Sequence, residues 1–499
     1  MSRSSAAGRM PENRRELIVI SDPGVLNPPE SSLIQPLPTV HTLLSELSAE
    51  MGEPFQLLPL FAREPEAETE TVDMTAEMAE AIEGLHNFYR VDAPEDKLDQ
   101  IAEKLRQDSR IQGAYVRPEP EIPRPVALEP EKDVSPLPSA TPDFGERQGY
   151  LNAAPAGIDA YYAWTLPGGY GNRVRIIDLE GGWNFAHEDL QFNEQGVIGT
   201  ANDYNDHGTA VLGVMGGDHD AKGIKGICPE ARIAGIAWNE SCASAGDSPD
   251  VLLDSIRICA PEAIRKAADQ LRTGDILLLE MHVPGPHYNY VWRPDQRGYI
   301  AIEWYPDMLA AIKYAVAKGI LVVEAAGNGG ENLDAPMYDQ PKDGFPPNWS
   351  NPFRRQGRDS GAILVGAGAP PKGTHGRNHG PERSRLDFSN YGSAIDAQGW
   401  GREVTTAGYG DLSRGSGENS WYTDQFSGTS SASPIVAGAL ACLQSIHLTR
   451  GGRQLPYATV REMLRTTGTP QQDAPGRPAS QRIGNLPDLR AMISRLNGF

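Results

Sequence analysis

The sequence predicts an α/β protein with a mostly parallel β-sheet covered by helices on both faces, preceded by a small α+β domain. The first observation is alternation. Short apolar runs at Val174–Ile177, Ile233–Ala237, Ile276–Leu279, Ile320–Val323 and Ile363–Val365 read as buried strands. Helical patterns at Gly208–Met215, Val251–Leu271, Tyr305–Ala317 and Ser431–Leu448 are interleaved with them. Strand–helix alternation of this kind gives a parallel sheet with helical crossovers. The second observation is the different pattern ahead of it, and the third is a proline-dense stretch between the two.

The front segment reads β-α-β-β-α-β. Glu16–Ile20 is a strand. Thr39–Met51 is an amphipathic helix with Val40, Leu43, Leu44 and Leu47 on one face. Pro54–Phe61 gives a second strand, Glu64–Thr71 a charged loop and Ala76–Gly84 a short extra helix. Asn87–Val91 is a strand, Asp96–Gln107 a helix lined by Leu98, Ile101, Ala102 and Leu105, and Gly113–Val116 a last strand. This order is the ferredoxin-like split pattern. Eight prolines between Pro118 and Pro142 then make an extended linker. The boundaries that follow are 1–117, 118–145 and 146–499.

Length and composition fit two domains, one of them large: the chain has 499 residues, 39% of them hydrophobic. The net charge is −21, and residues 1–145 hold 13 Lys and Arg against 27 Asp and Glu. A basic face for nucleic acid is not indicated. No apolar run of about 18 residues predicts a membrane span. The run Leu17–Ile20 is too short for a secretory signal, so the expected location is the cytoplasm, with non-classical export as the alternative. Four cysteines form no dense framework; Cys228 and Cys442 are expected in the core, and Cys242 with Cys259 is a pair the sequence leaves open.

Three segments carry chemistry. Phe426-Ser427-Gly428-Thr429-Ser430-Ser431-Ala432-Ser433-Pro434 sets a hydroxyl in a small-residue loop just before an apolar helix, with Pro434 expected in its first turn. Ser430 then lies near the positive end of a helix dipole. A serine is a weak nucleophile until a base takes its proton, and the base needs a third group to fix its tautomer. Asn205-Asp206-His207-Gly208-Thr209 supplies the imidazole, and Val174–Asp178 supplies a carboxylate at a strand's end. Asp178, His207 and Ser430 stand in the order Asp, His, Ser, which is the subtilisin order. An esterase of the α/β-hydrolase type needs G-x-S-x-G and the order Ser, Asp, His, and the chain has neither.

Residues of about 145–495 resemble the subtilisin-like (subtilase, S8) serine proteases. The resemblance rests on Asn184–Leu190 after the carboxylate, on His207-Gly208-Thr209, and on the turn Gly223–Ala231. Ala325-Ala326-Gly327-Asn328, Phe388–Gly392 and Ile483–Leu489 extend it, and the segment around Ser430 is its most specific part. It implies a three-layer subtilisin-like fold, a catalytic triad of Asp178, His207 and Ser430, and an oxyanion donor in Asn328. It also implies protein or peptide substrates and no cofactor for the chemistry, with structural calcium a feature many relatives hold in loops. The front domain is similar to the family's inhibitory propeptide, so the chain is expected to be a zymogen that cuts itself within 116–146, with its own propeptide as intramolecular inhibitor.

The chain departs from the pattern in two places. Leu179-Glu180-Gly181-Gly182 follows Asp178 where the family has Thr or Ser and then Gly; Glu180 either places a second carboxylate near the site or faces solvent, and the solvent-facing position is the expectation. Leu279–Gly285 stands where the family's S-x-G strand lines the substrate, which makes Glu280, Met281 and His282 candidate substrate-binding residues. These departures motivate the alternative reading, a catalytically impaired protein-binding module on the same fold.

Overall fold

The computed structural model describes residues 15–23, 45–46, 48–50, 52, 55–61, 76–124, 140–192, 194–201, 205–238 and 259–496. The front segment forms a four-stranded antiparallel sheet of β1 (Arg15–Ser21), β2 (Gln56–Pro59), β3 (Phe88–Asp92) and β4 (Ile111–Pro118), in the order β2-β3-β1-β4. The helices α1 (Ala76–Leu85) and α2 (Leu98–Leu105) accompany it. In α2, Leu98, Ile101, Ala102 and Leu105 are buried, the face the 3.6-residue spacing predicts. They pack with Leu17, Val19, Tyr89 and Val116 of the sheet. Of the helix expected over 39–51, helical residues are described at 45–46 and 48–50, and the rest lies outside the described residues.

The larger part is built on a seven-stranded sheet in which every pairing is parallel. Its strands are β5 (Arg175–Glu180), β6 (Glu194–Ile198), β7 (Arg232–Ala237), β8 (Ile276–Leu279), β9 (Leu321–Ala325), β10 (Ile363–Gly368) and β11 (Ile395–Trp400), in the order β11-β10-β9-β8-β5-β7-β6. The helices that matter for the site are α3 (Asp206–Gly216), α4 (Ala260–Gln270), α5 (Pro306–Ala317) and α6 (Thr429–Thr449). Side chains alternate along a strand, and β5 shows the result. Ile176 joins the apolar cluster that holds α3 and α6, whereas Ile177 and Leu179 join the opposite cluster with α4 and α5. This is the three-layer arrangement the alternation predicts.

α6 runs through the centre of one layer. Ile435, Val436, Leu440, Leu443 and Ile446 are all buried, each side chain contributing roughly 1.5–3 kcal/mol by leaving water. It is long and apolar enough to cross a bilayer, but 89% of its most apolar stretch is buried inside the protein. Pro434 lies inside this helix rather than in its first turn. It has no N–H to give to the Ser430 carbonyl one turn back. Cys228 and Cys442 are buried free thiols, as expected; Cys242 lies outside the described residues.

The front sheet meets α5 through a buried ion pair. Tyr115 Oη donates to Asp307 Oδ1 at 2.8 Å, and Arg117 Nε donates to Asp307 Oδ2 at 2.8 Å. Arg117 also pairs with Glu16 at 2.7 Å. Asp307 stands in the first turn of α5, where a negative charge suits the helix dipole. The Ala114 N–H adds a bond to the Gly344 carbonyl at 2.9 Å.

Candidate active site

β5 ends two residues later than its apolar run suggests, at Glu180 rather than Asp178. A two-residue step returns a strand side chain to the same face, so both carboxylates point toward α3 and α6. The outer one reaches the imidazole: His207 Nδ1 lies 2.6 Å from Glu180 Oε1 and 2.9 Å from Oε2. Asp178 instead accepts a bond from Trp183 Nε1 at 2.7 Å. Two expectations are thereby corrected. The carboxylate on His207 is Glu180, not Asp178, and Glu180 is fully buried rather than solvent-facing. Burial is repaid because Glu180 has a partner that an isolated carboxylate lacks.

His207 is the second residue of α3 and is itself fully buried, with Phe426 edge-on at 5.3 Å between ring centroids. Ser430 sits in the first turn of α6 after Gly428, whose φ of +107° suits glycine alone. Both Ser430 Oγ and His207 Nε2 are buried without a hydrogen bond, so the serine–imidazole bond is not made in this conformation. Catalytic hydrogen bonds often form only once substrate closes the site.

Asn328 follows β9 and joins the serine loop directly. Its Oδ1 accepts from the Thr429 N–H at 2.9 Å and from Thr429 Oγ1 at 3.0 Å. Its Nδ2 makes one long bond, 3.4 Å to Gln296 Oε1. Asn390, from the Phe388–Gly392 segment, ties this turn down: its Nδ2 donates to the Ala326 carbonyl at 2.6 Å and to the Tyr299 carbonyl at 2.8 Å. At Gly327 an added Cβ would stand 2.8 Å from that same amide.

The three other candidates divide. Glu280 is buried and accepts a short bond from Ser433 Oγ, one turn along α6 from the serine, while its Oε2 has no partner. Met281 lies in the apolar cluster with α4 and α5, against which Ile122 also packs. His282 offers its backbone: it pairs with Glu121 as an antiparallel bridge, N to O at 2.8 and 3.0 Å. The proline-rich stretch therefore lays residues 121–124 along the site. Sequence reasoning missed Trp183, Gln296 and Tyr299. Only Trp183 carried a signal, its position inside the loop after the carboxylates.

Electrostatics follow from burial. Desolvation drives Asp178, Glu180 and Glu280 well above the usual carboxylate range. The like charge of Glu180 adds to the shift at Asp178, and those of Asp178 and Glu180 add to it at Glu280. Desolvation lowers His207 to about 4, opposed by the nearby Asp178 charge. The bond between Glu180 and His207 favours a carboxylate accepting from Nδ1–H, which leaves Nε2 as the free base.

The seven-stranded parallel sheet between two layers of helices is a subtilisin-like three-layer fold. The Subtilase family model matches residues 291–484 of this chain. An intracellular serine protease of Paenibacillus polymyxa is 26% identical over 312 residues, covering 59% of this chain and 74% of the relative. The major intracellular serine protease of Bacillus subtilis strain 168 is 24% identical over 335 residues, covering 64% and 83%. Among solved structures, the epidermin leader peptide processing protease of Staphylococcus aureus superposes with a TM-score of 0.52 at 16% identity, covering 97% of this chain and 99% of that one. Fervidolysin of Fervidobacterium pennivorans gives 0.53 at 16% identity, covering 97% and 62%. These two share the fold.

Proposed function

We propose that the chain is a serine endopeptidase that forms an acyl-enzyme on Ser430. The observation that carries this reading is the two-oxygen grip of Glu180 on His207 Nδ1, on a helix that packs against the one headed by Ser430. Ser430 Oγ attacks the peptide carbonyl carbon while His207 Nε2 takes its proton. The tetrahedral oxyanion accepts from Asn328 Nδ2 and the Ser430 N–H, a side-chain donor of that kind being worth about 3–4 kcal/mol. The C–N bond then breaks, and the leaving amine takes the proton from Nε2. Water, deprotonated by the same imidazole, hydrolyses the ester and restores the serine. Glu180 fixes the tautomer throughout and stabilises the imidazolium. The chemistry draws on the chain's own side chains, and its substrates are proteins or peptides.

The N-terminal domain, 1–117, acts in this reading as an intramolecular inhibitor, and the chain is a zymogen cut by itself within 116–146. The antiparallel pairing of Glu121 with His282 supports it, because an inhibitory tail occupies a cleft as an added strand. A cytoplasmic site of action accords with the two relatives named as intracellular proteases.

A second reading is a binding module without turnover, favoured by the missing bond between Ser430 Oγ and His207 Nε2. A fluorophosphonate probe separates the two. It labels the wild type and not Ser430→Ala if the peptidase reading holds; no labelling of either removes it. Equal full-length bands from both proteins, with the wild type active, would remove self-cutting alone.

A further inference from the structure

A segment that no motif explains, residues 288–299, reaches the site through the bond between Gln296 and Asn328. Gln296 is 5% exposed and holds a positive φ of +57°, a conformation glutamine rarely adopts. Its amide clasps one residue of the cleft strand from both sides. The Arg124 N–H donates to Gln296 Oε1 at 2.9 Å, and Gln296 Nε2 donates to the Arg124 carbonyl at 3.0 Å. The same Oε1 takes the 3.4 Å bond from Asn328 Nδ2, so Arg124 is one side chain away from the serine loop.

Recognition extends to the side chains. The Arg124 guanidinium lies over the Trp292 ring, 4.8 Å from its centroid. Glu121 Oε1 accepts from Tyr299 Oη at 2.9 Å, and its Oε2 pairs with Arg124 Nη2 at 3.2 Å. Trp292 also lines an open surface cavity of about 440 Å³ with Tyr288, Arg293 and Asp295. A caliper on the backbone, an aromatic face for a cation and a phenol for a carboxylate together make a site for one kind of peptide.

We propose that Gln296, Trp292 and Tyr299 form a substrate subsite selecting an extended peptide with a basic residue three positions after an acidic one, and that Glu121–Arg124 is the internal copy of that sequence. The inference rests on the peptidase reading for its catalytic consequence but not for binding. Gln296 reads backbone and serves any residue. Trp292 supplies the preference for a cation, which at a partly desolvated ring is worth about tenfold in affinity.

Two measurements test it. In full-length Ser430→Ala protein, hydrogen exchange at the Glu121 and His282 amides reports whether the strand is held. Adding Trp292→Ala, or separately Arg124→Ala, is expected to speed that exchange about tenfold; no change in either overturns the subsite. The wild type is then offered paired quenched peptides spanning residues 117–128, with Arg or Ala at the position of Arg124. A preference for Arg of about tenfold in kcat/KM, reduced toward unity by Trp292→Ala, is expected. Equal cleavage of both peptides overturns the selectivity. Faster exchange in the variants with neither peptide cut overturns the peptidase reading and leaves a peptide-binding site in place.

Discussion

Glu180 holds His207 Nδ1 through both carboxylate oxygens, at 2.6 and 2.9 Å, while Asp178, two residues earlier on the same strand face, is bonded to Trp183. The division predicts unequal mutants. Glu180→Gln preserves size but lets the side-chain amide enforce the wrong imidazole tautomer, so kcat is expected to fall about 10³–10⁴-fold. Asp178→Asn keeps an acceptor for the Trp183 N–H and is expected to cost less than about tenfold. Steady-state kinetics on a peptide substrate compare the two; a larger loss at Asp178 would return it to the role of His207's partner.

The acid limb of activity tests the imidazole's surroundings. His207 is lowered to about 4 by burial, so its base form persists below the ordinary 6.5. Activity is lost as the pH falls and His207 Nε2, the base of the pair, takes up a proton. The acid limb of kcat/KM is expected clearly below pH 6.5. A limb centred at 6.5 or above, measured between pH 3 and 9, would contradict this environment.

Much of the fold was legible in the sequence because buried parallel strands are continuous apolar runs, and five such runs became β5, β7, β8, β9 and β10. β11 was not foreseen. It carries Asp396, which breaks the apolar run yet is fully buried, paired with Arg355 at 2.8 Å and Arg465 at 2.6 Å. The edge strand β6 is short and half exposed, and left no apolar run. His207, Ser430 and Asn328 stand out in the sequence because each sits in a motif with a backbone reason. Glu180 was misread for the same cause as the strand end: an isolated carboxylate after an apolar run reads as exposed until its partner, 27 residues on, is placed beside it. Gln296 and Trp292 lie in a loop whose role depends on a distant strand, which local pattern does not report.

Asp189 predicts a pH dependence of stability. Burial raises its carboxyl to about 7, opposed by the bond from the Ile224 N–H at 2.6 Å. The folded state then binds a proton that the unfolded state has released, so stability is full below about pH 4 and declines as the pH rises toward 7. Asp189→Asn keeps an acceptor for Ile224 and removes the titration. Denaturant melts at pH 4, 5.5 and 7 are expected to show a smaller decline in the variant, by roughly 1–4 kcal/mol across that window. Parallel declines in both proteins would locate the proton uptake elsewhere.

Arg117 and Asp307 supply the last test, at the seam between β4 and α5. Both side chains are fully buried, so removing one leaves an uncompensated charge in a dry place. Arg117→Ala is expected to weaken the seam by about 3–5 kcal/mol, and Asp307→Ala by a similar amount. The double variant should lose less than the sum, because the charge stranded by either single change is gone. Hydrogen exchange at β4 reads the seam directly, and the Ala114 amide bonded to Gly344 should be among the first released. If the N-terminal domain inhibits, the single variants should also cleave an added peptide sooner after purification than the wild type. A seam that loosens with no gain in cleavage would separate docking from inhibition, and the Glu121–His282 strand would then have to block the cleft without help from the domain it follows.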